Sequence, residues 1–151
     1  MGFTCETGPY RSDHMSTVAT LWEVQVIRKV ETPQQRVFGW GLITRTSEGV
    51  VVVDKQGDMT EVEDMEEAAY DFAKSAGLGG EMHEGAATAR LIESMAFTPE
   101  KLDALGIPAG VLPVAHWVGF EVPAATFKRV QAGERLMFSV EGTAEPEAVV
   151  V

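Results

Sequence analysis

Two side chains could carry nucleophilic chemistry, the imidazole of His83 and the hydroxyl of Ser139. His83 lies in a short segment with glycine on both sides, where backbone can approach a ligand closely, and Glu81 and Glu84 flank it. Ser139 falls in the strand-like run RLMFSV, on the face opposite to Leu136, Phe138 and Val140 and beside Met137. A serine hydroxyl is a weak nucleophile at neutral pH and needs an adjacent base. The two residue types therefore fit a nucleophile and its general base, although most serines in strands are structural.

Other chemical signatures are absent or incomplete in this sequence. The chain has no nucleophile elbow, P-loop, H-E-x-x-H or G-x-G-x-x-G motif. The stretch DKQGDMTEVEDMEE resembles a calcium loop, with Asp54 and Asp58 at its first and fifth positions, but Met59 stands where glycine is required. We interpret this stretch as a turn followed by an acidic helix start. We expect no metal ion and no cofactor.

Composition restricts the class of protein and of partner. The 151 residues suggest a single domain, and apolar runs are too short for a membrane span. A net charge of −11 repels phosphate, which argues against binding to nucleic acid or to anionic lipid. The only cysteine, Cys5, excludes an internal disulfide and a cysteine-based zinc site. We therefore expect a protein of a reducing compartment with neither a nucleic-acid nor a membrane partner.

The sequence divides into a leader, one domain and a tail. Residues 1–14 are polar and end in a His-Met junction, so we interpret them as an added leader or disordered segment before a native start at Met15. Cys5 and His14 then fall outside the domain. We expect the folded domain to span residues 15–142 and an acidic, partly apolar tail to span residues 143–151.

Several short runs have the composition and alternation of β-strands. Glycine, proline and polar turns separate them. The predicted strands are residues 21–30, 37–44, 50–53, 89–97, 116–122 and 135–140. The strand-helix alternation has no regular length, so a doubly wound parallel sheet is disfavoured. We predict an α+β fold, a small and mostly antiparallel β-barrel of six to seven strands with peripheral helices.

Three helices are predicted between the strands. Thr60 and Glu63 form a T-x-x-E capping box that opens the first, and Gly77 ends it. Thr98 followed by proline predicts the start of the second, and Gly106 its end. The third covers residues 123–131. The apolar stripe of the first helix is Val62, Met65, Ala69, Phe72 and Ala76.

A string of motifs, in order, resembles one known family. The segments are FGWGLIT, DKQGD, EEAAYDF, MHE, FTPEK, HWVGFEV and LMFS, between about Val37 and Gly142. They are similar to the XkdF-like phage proteases, which belong to the prohead serine proteases related to herpesvirus assemblin. The resemblance covers most of the domain and implies a barrel fold with a serine nucleophile paired with a histidine.

Carried over by motif, the resemblance implies that Ser139 is the nucleophile and His83 its base. Related proteases usually carry a third residue downstream of the serine, and only 12 residues follow Ser139 here. A truncated chain, self-cleavage near its end, or a two-residue Ser-His site would each explain this difference. The candidates for the third member are Glu84, Glu145 and Glu147, with Glu81 a further alternative. The weaker candidates for the oxyanion hole are the backbone N–H groups of Val140, Glu141 and Gly142.

The implied activity is that of a serine endopeptidase acting during prohead maturation. Its substrate would be scaffold or capsid protein, and the chain itself, inside the assembling procapsid in the host bacterial cytoplasm. Family relatives suggest self-association. The alternative is a catalytically inactive capsid-assembly or scaffold module, because the third residue is missing. A metal hydrolase using His83 is disfavoured for want of a second nearby histidine, and we expect His116 to be a core or surface residue.

Overall fold

The computed structural model describes residues 18–20, 27–54, 57–75, 78–81 and 84–134. Strands and helices are mixed along this part of the chain, as the α+β prediction requires. The elements are β1 (Val18–Thr20), β2 (Ile27–Glu31), β3 (Arg36–Arg45), β4 (Val51–Val53), α1 (Val62–Lys74), β5 (Leu78–Glu81), β6 (Glu84–Phe97), α2 (Pro99–Ala104), β7 (Val114–Glu121) and α3 (Ala124–Gln131). The predicted strand 135–140, the leader and the tail lie outside the described residues.

All the described strands belong to one sheet. Its order is β1-β4-β3-β7-β6-β5, and β2 pairs with the first half of β3. The β2-β3, β3-β7, β7-β6 and β6-β5 pairs are antiparallel, whereas the short β1 pairs parallel with β4. The prediction of a mostly antiparallel sheet is confirmed. Among the described strands none joins β5 to β1 or β2, so closure into a barrel is not observed there.

Aromatic side chains form the core on one face of the sheet. Trp40 on β3 packs edge-on against Trp117 on β7 and Phe97 at the end of β6, with ring centroids 5.0 and 6.0 Å away. Gly119 on β7 leaves room for Phe38, since a Cβ there would lie 2.6 Å from that ring. Trp40 and Phe38 are both buried in this core.

Helix α1 covers the other face of the sheet. Met65 and Ala69 are buried there and pack with Ala96 of β6. The Phe72 ring lies edge-on to the ring of Phe120 on β7. The apolar stripe predicted for this helix is thus confirmed over its described residues, and it fixes which side of α1 faces the sheet.

The starts of α1 and α2 differ from each other, and only the start of α2 agrees with the prediction. Thr98 caps α2, because its Oγ1 accepts a hydrogen bond from the N–H of Lys101 at 3.3 Å. Helix α1 instead has Glu61 at its N-cap position, with no side-chain cap. The capping box predicted at Thr60 is therefore wrong, because the helix starts one residue later and leaves the Thr60 hydroxyl outside the first turn. Gly106 has a φ of +69°, which confirms its role at the end of α2.

A polar cluster joins α1 to α2. The Lys101 ammonium contacts the Glu66 carboxylate and the Tyr70 hydroxyl, and Tyr70 donates to Glu66 at 2.7 Å. The same ammonium lies 4.7 Å from the centre of the Tyr70 ring. These contacts hold α2 against the exposed side of α1. Within the described ranges, no helix is long and apolar enough to cross a membrane.

Candidate functional site

Most of the predicted site residues fall where the structure gives no description. His83 and Ser139 are both outside the described residues, so the distance between them is not part of the structure. The same holds for the predicted oxyanion and tail residues Val140, Glu141, Gly142, Glu145 and Glu147. Of the predicted site, only Glu84 and the further alternative Glu81 have described backbone positions. The roles assigned to these residues therefore stay predictions.

Glu81 and Glu84, the residues on either side of the Met82-His83 dipeptide, are cross-strand partners. Glu81 is the last residue of β5 and Glu84 the first residue of β6. The sequence predicts a strand only from residue 89, so β6 extends five residues further toward this motif than expected. The reason is that the small residues before Ala89 have weak strand propensity, and pairing with β5 supplies the hydrogen bonds.

Strand β6 pairs with β5 over its first half and with β7 over its second half. It pairs with β5 up to Arg90, and with β7 from Arg90 to Phe97. A bulge interrupts the β7 pairing between Leu91 and Glu93. Such bulges bend a strand and increase its twist. Strand β6 therefore runs without a break from Glu84 to Phe97, which packs against Trp40 in the aromatic core.

Ser94 and His116 form a serine-histidine pair that sequence reasoning missed. Ser94 Oγ on β6 lies 2.8 Å from His116 Nε2 on the neighbouring strand β7. The His116 residue is only 6% exposed, and Phe72 of α1 lies edge-on to its ring at 6.3 Å. Burial lowers the pKa of His116 to about 4, from its ordinary value of 6.5. The imidazole is therefore neutral at pH 7.

The chemistry open to this pair is limited by that low basicity. A general base works best when its pKa lies near the operating pH, so an imidazole with a pKa of about 4 accepts a proton poorly in a transition state. The hydrogen bond to Ser94 does satisfy a ring nitrogen that burial would otherwise leave without water. We therefore interpret the pair as structural, which confirms His116 as a core residue.

A second side-chain contact links β6 to β7 on the opposite face of the sheet. Glu93 Oε2 accepts a hydrogen bond from the indole N–H of Trp117 at 3.1 Å. Register explains the contact: Glu93 and Met95 are opposite Gly119 and Trp117, respectively. Alternation along β6 thus separates Glu93 from Ser94, and each face of the strand holds one polar contact to β7.

The described ends of the DKQGD segment, Asp54 and Asp58, are hydrogen-bonded to each other, as the predicted turn requires. The N–H of Asp58 donates to Asp54 Oδ1 at 3.0 Å, and the N–H of Asp54 donates to the carbonyl of Asp58 at 2.9 Å. Val53 and Met59 then form an isolated bridge. Among the side chains described, no group of three or more His, Cys, Asp or Glu could hold a metal ion.

Comparison with known proteins finds no matching family model, no matching curated protein and no matching solved structure. Functional inference for this chain therefore starts from its own motifs and from the geometry described above. Three motifs of the string lie on neighbouring strands of the sheet: FGWGLIT within β3, HWVGFEV over most of β7, and FTPEK from the last residue of β6.

Proposed function

We propose that the chain is a serine endopeptidase of the phage prohead type. It cleaves scaffold or capsid protein, and itself, inside the assembling procapsid in the host bacterial cytoplasm. Ser139 is the nucleophile and His83 is the base. The observation that carries this proposal is the ordered string of seven motifs between Val37 and Gly142, which includes both residues.

The chemistry assigned to the two residues is that of acyl transfer. His83 takes the proton of the Ser139 hydroxyl as its oxygen attacks the scissile carbonyl, and later gives that proton to the leaving amine. Proton transfer of this kind contributes about 10²–10⁴-fold to rate. Backbone N–H groups of residues 140–142 would hold the oxyanion, and one such donor is worth about 10²–10³-fold. Glu84, Glu145 or Glu147 would orient the imidazole.

The finer fold proposal is that the sheet closes into a small barrel. Barrel closure requires strands to be staggered relative to their neighbours. The exchange of partners along β6 supports it, because β5 and β7 are displaced along opposite halves of that strand.

A fluorophosphonate probe tests the assignment of the nucleophile. Such a probe reacts with a serine hydroxyl that an adjacent base activates. We expect the probe to modify Ser139 in the folded chain, as located by peptide mapping, and Ser139→Ala to abolish the labelling. The variant His83→Ala should slow labelling by at least about 10²-fold, since the base is removed.

The Ser94-His116 pair supplies a matched control inside the same molecule. Ser94→Ala removes a serine that already contacts a histidine, so labelling that survives this change excludes the pair as the reactive site. Labelling lost in Ser94→Ala and kept in Ser139→Ala would contradict the proposal. A folded chain that takes up no probe would instead favour the inactive capsid-assembly module.

A further inference from the structure

One edge of β6 carries no described partner over its second half. Between Glu93 and Phe97, the strand pairs with β7 on one side. On the other side, β5 pairs only as far as Arg90. Within the ranges that the structure covers, no other strand follows β5 along this edge. We call the run Glu93–Phe97, on the side away from β7, the β6 edge.

Side chains at the β6 edge are unusually exposed for a strand with a long partner. Residues 92–95 are exposed without interruption, and Ile92 and Met95 are large apolar residues at 39% and 43%. Because successive strand residues point to opposite faces, both faces of β6 are exposed over residues 92–95, whereas Ala96 is buried under α1 and Phe97 packs against Trp40. Natural sheets protect such an edge with charged side chains, above all lysine, with proline or with bulges. The run 91–97 has one charge, Glu93, and a bulge between Leu91 and Glu93, but neither lysine nor proline.

The β6 edge carries the exposed carboxylate of Glu93, and the helix that packs over β6 is acidic. Helix α1 packs mainly over β6 and β7, and its outer side is rich in carboxylates. The exposed acidic residues of α1 are Glu63, Asp64, Glu67 and Asp71. Its last turn holds one basic residue, Lys74, which forms an ion pair with Asp71. Together with the net charge of −11, this surface attracts positively charged chains.

We propose that the β6 edge binds an extended, basic peptide segment of a partner protein as an added strand. Backbone hydrogen bonds to the edge would supply affinity, and lysine or arginine side chains would face the acidic side of α1. A second copy of this chain fits less well, because it would bring a second charge of −11 to the same surface. The inference does not depend on the endopeptidase assignment.

A synthetic peptide tests this proposal on the full chain. The probe is an eight-residue peptide of alternating lysine and valine with a fluorescein label, followed by fluorescence anisotropy at low salt. We expect saturable binding, and at least about tenfold weaker binding of the glutamate-valine peptide. A lysine-valine peptide with N-methyl groups on alternate residues should also bind at least about tenfold more weakly, since it cannot complete the ladder.

Two variants of one residue type locate the binding surface. Met95→Lys places a positive charge at the β6 edge and should weaken binding of the lysine-valine peptide about tenfold. Met59→Lys is the matched control, because Met59 is 46% exposed beside β4, on the far side of β3 from β6. It should change the affinity by less than about twofold.

Three results would overturn the proposal. Equal binding of the N-methylated peptide would show that no strand is added. Equal affinities of the two lysine variants would place the peptide elsewhere on the acidic surface. No binding of the lysine-valine peptide would mean that the edge is already occupied, either by another segment of this chain or by a second copy. Sedimentation velocity distinguishes these two occupants, because only a second copy of the chain would give a dimer.

Discussion

His116 ties the stability of the sheet to pH. Its folded pKa is about 4, against an ordinary value of 6.5 in an unfolded chain. Above pH 6.5 both states are neutral and the full stability is present. As the pH falls from 6.5 to 4, the unfolded chain takes up a proton that the folded chain does not, so the free energy of unfolding decreases by about 3 kcal/mol.

A variant without the titrating group isolates this contribution from that of the carboxylates. His116→Gln keeps a polar group near Ser94 but cannot be protonated. Urea unfolding followed by tryptophan fluorescence, between pH 7 and pH 4, should show a smaller loss of stability in the variant than in the wild type. The same loss in both proteins would mean that the buried imidazole is not the source.

The Ser94-His116 pair also shows that a single sequence does not reveal which side chains meet across neighbouring strands. The types of the two residues are printed in the sequence, but their meeting depends on the register that sets Ala96 opposite His116. A shift of one residue would turn Ser94 to the other face of β6. The sequence leaves His116 as either a core or a surface residue and gives no indication of its partner.

Among the elements, the ends of α1 and α2 give a direct test of helix capping. Thr98→Val removes the hydroxyl that accepts the N–H of Lys101, so it should lower the free energy of unfolding by about 1 kcal/mol. Thr60→Val makes the same change before α1, where no side-chain cap exists, and should leave stability nearly unchanged. Urea denaturation of both variants measures the difference. A larger loss from Thr60→Val would contradict the assigned helix start.

Local signals predicted most of these elements, and pairing determined the rest. Helix α2 follows from Thr98, Pro99 and Gly106, because each acts within one turn of the helix. The early start of β6 could not be predicted, since its glycine- and alanine-rich beginning becomes a strand only beside β5. For the candidate site, the sequence supplies His83 and Ser139 with their flanking motifs. Their separation depends on long-range folding that local signals do not encode.

Across the whole molecule, the charge distribution sets how the fold responds to salt. The net charge of −11 produces self-repulsion in the compact state. The described ion pairs, such as those of Lys29 with Glu31 and Lys74 with Asp71, involve partly or largely exposed side chains. Exposed pairs of this kind each contribute about 0–1 kcal/mol. Screening by salt therefore weakens the repulsion among the negative charges more than it weakens the attraction within the exposed ion pairs.

Sodium chloride should consequently stabilise this protein. Raising its concentration from about 0.01 to 0.1 M shortens the screening length from about 30 to 10 Å, which weakens repulsion between distant carboxylates. At pH 7.5 we expect the thermal midpoint, measured by circular dichroism, to rise by roughly 2–4 °C, equivalent to about 1 kcal/mol. Glu67→Lys on the exposed side of α1 reduces the net negative charge, so its midpoint should rise less with salt. A midpoint that falls with salt in the wild type would show instead that the exposed ion pairs contribute more than the repulsion costs.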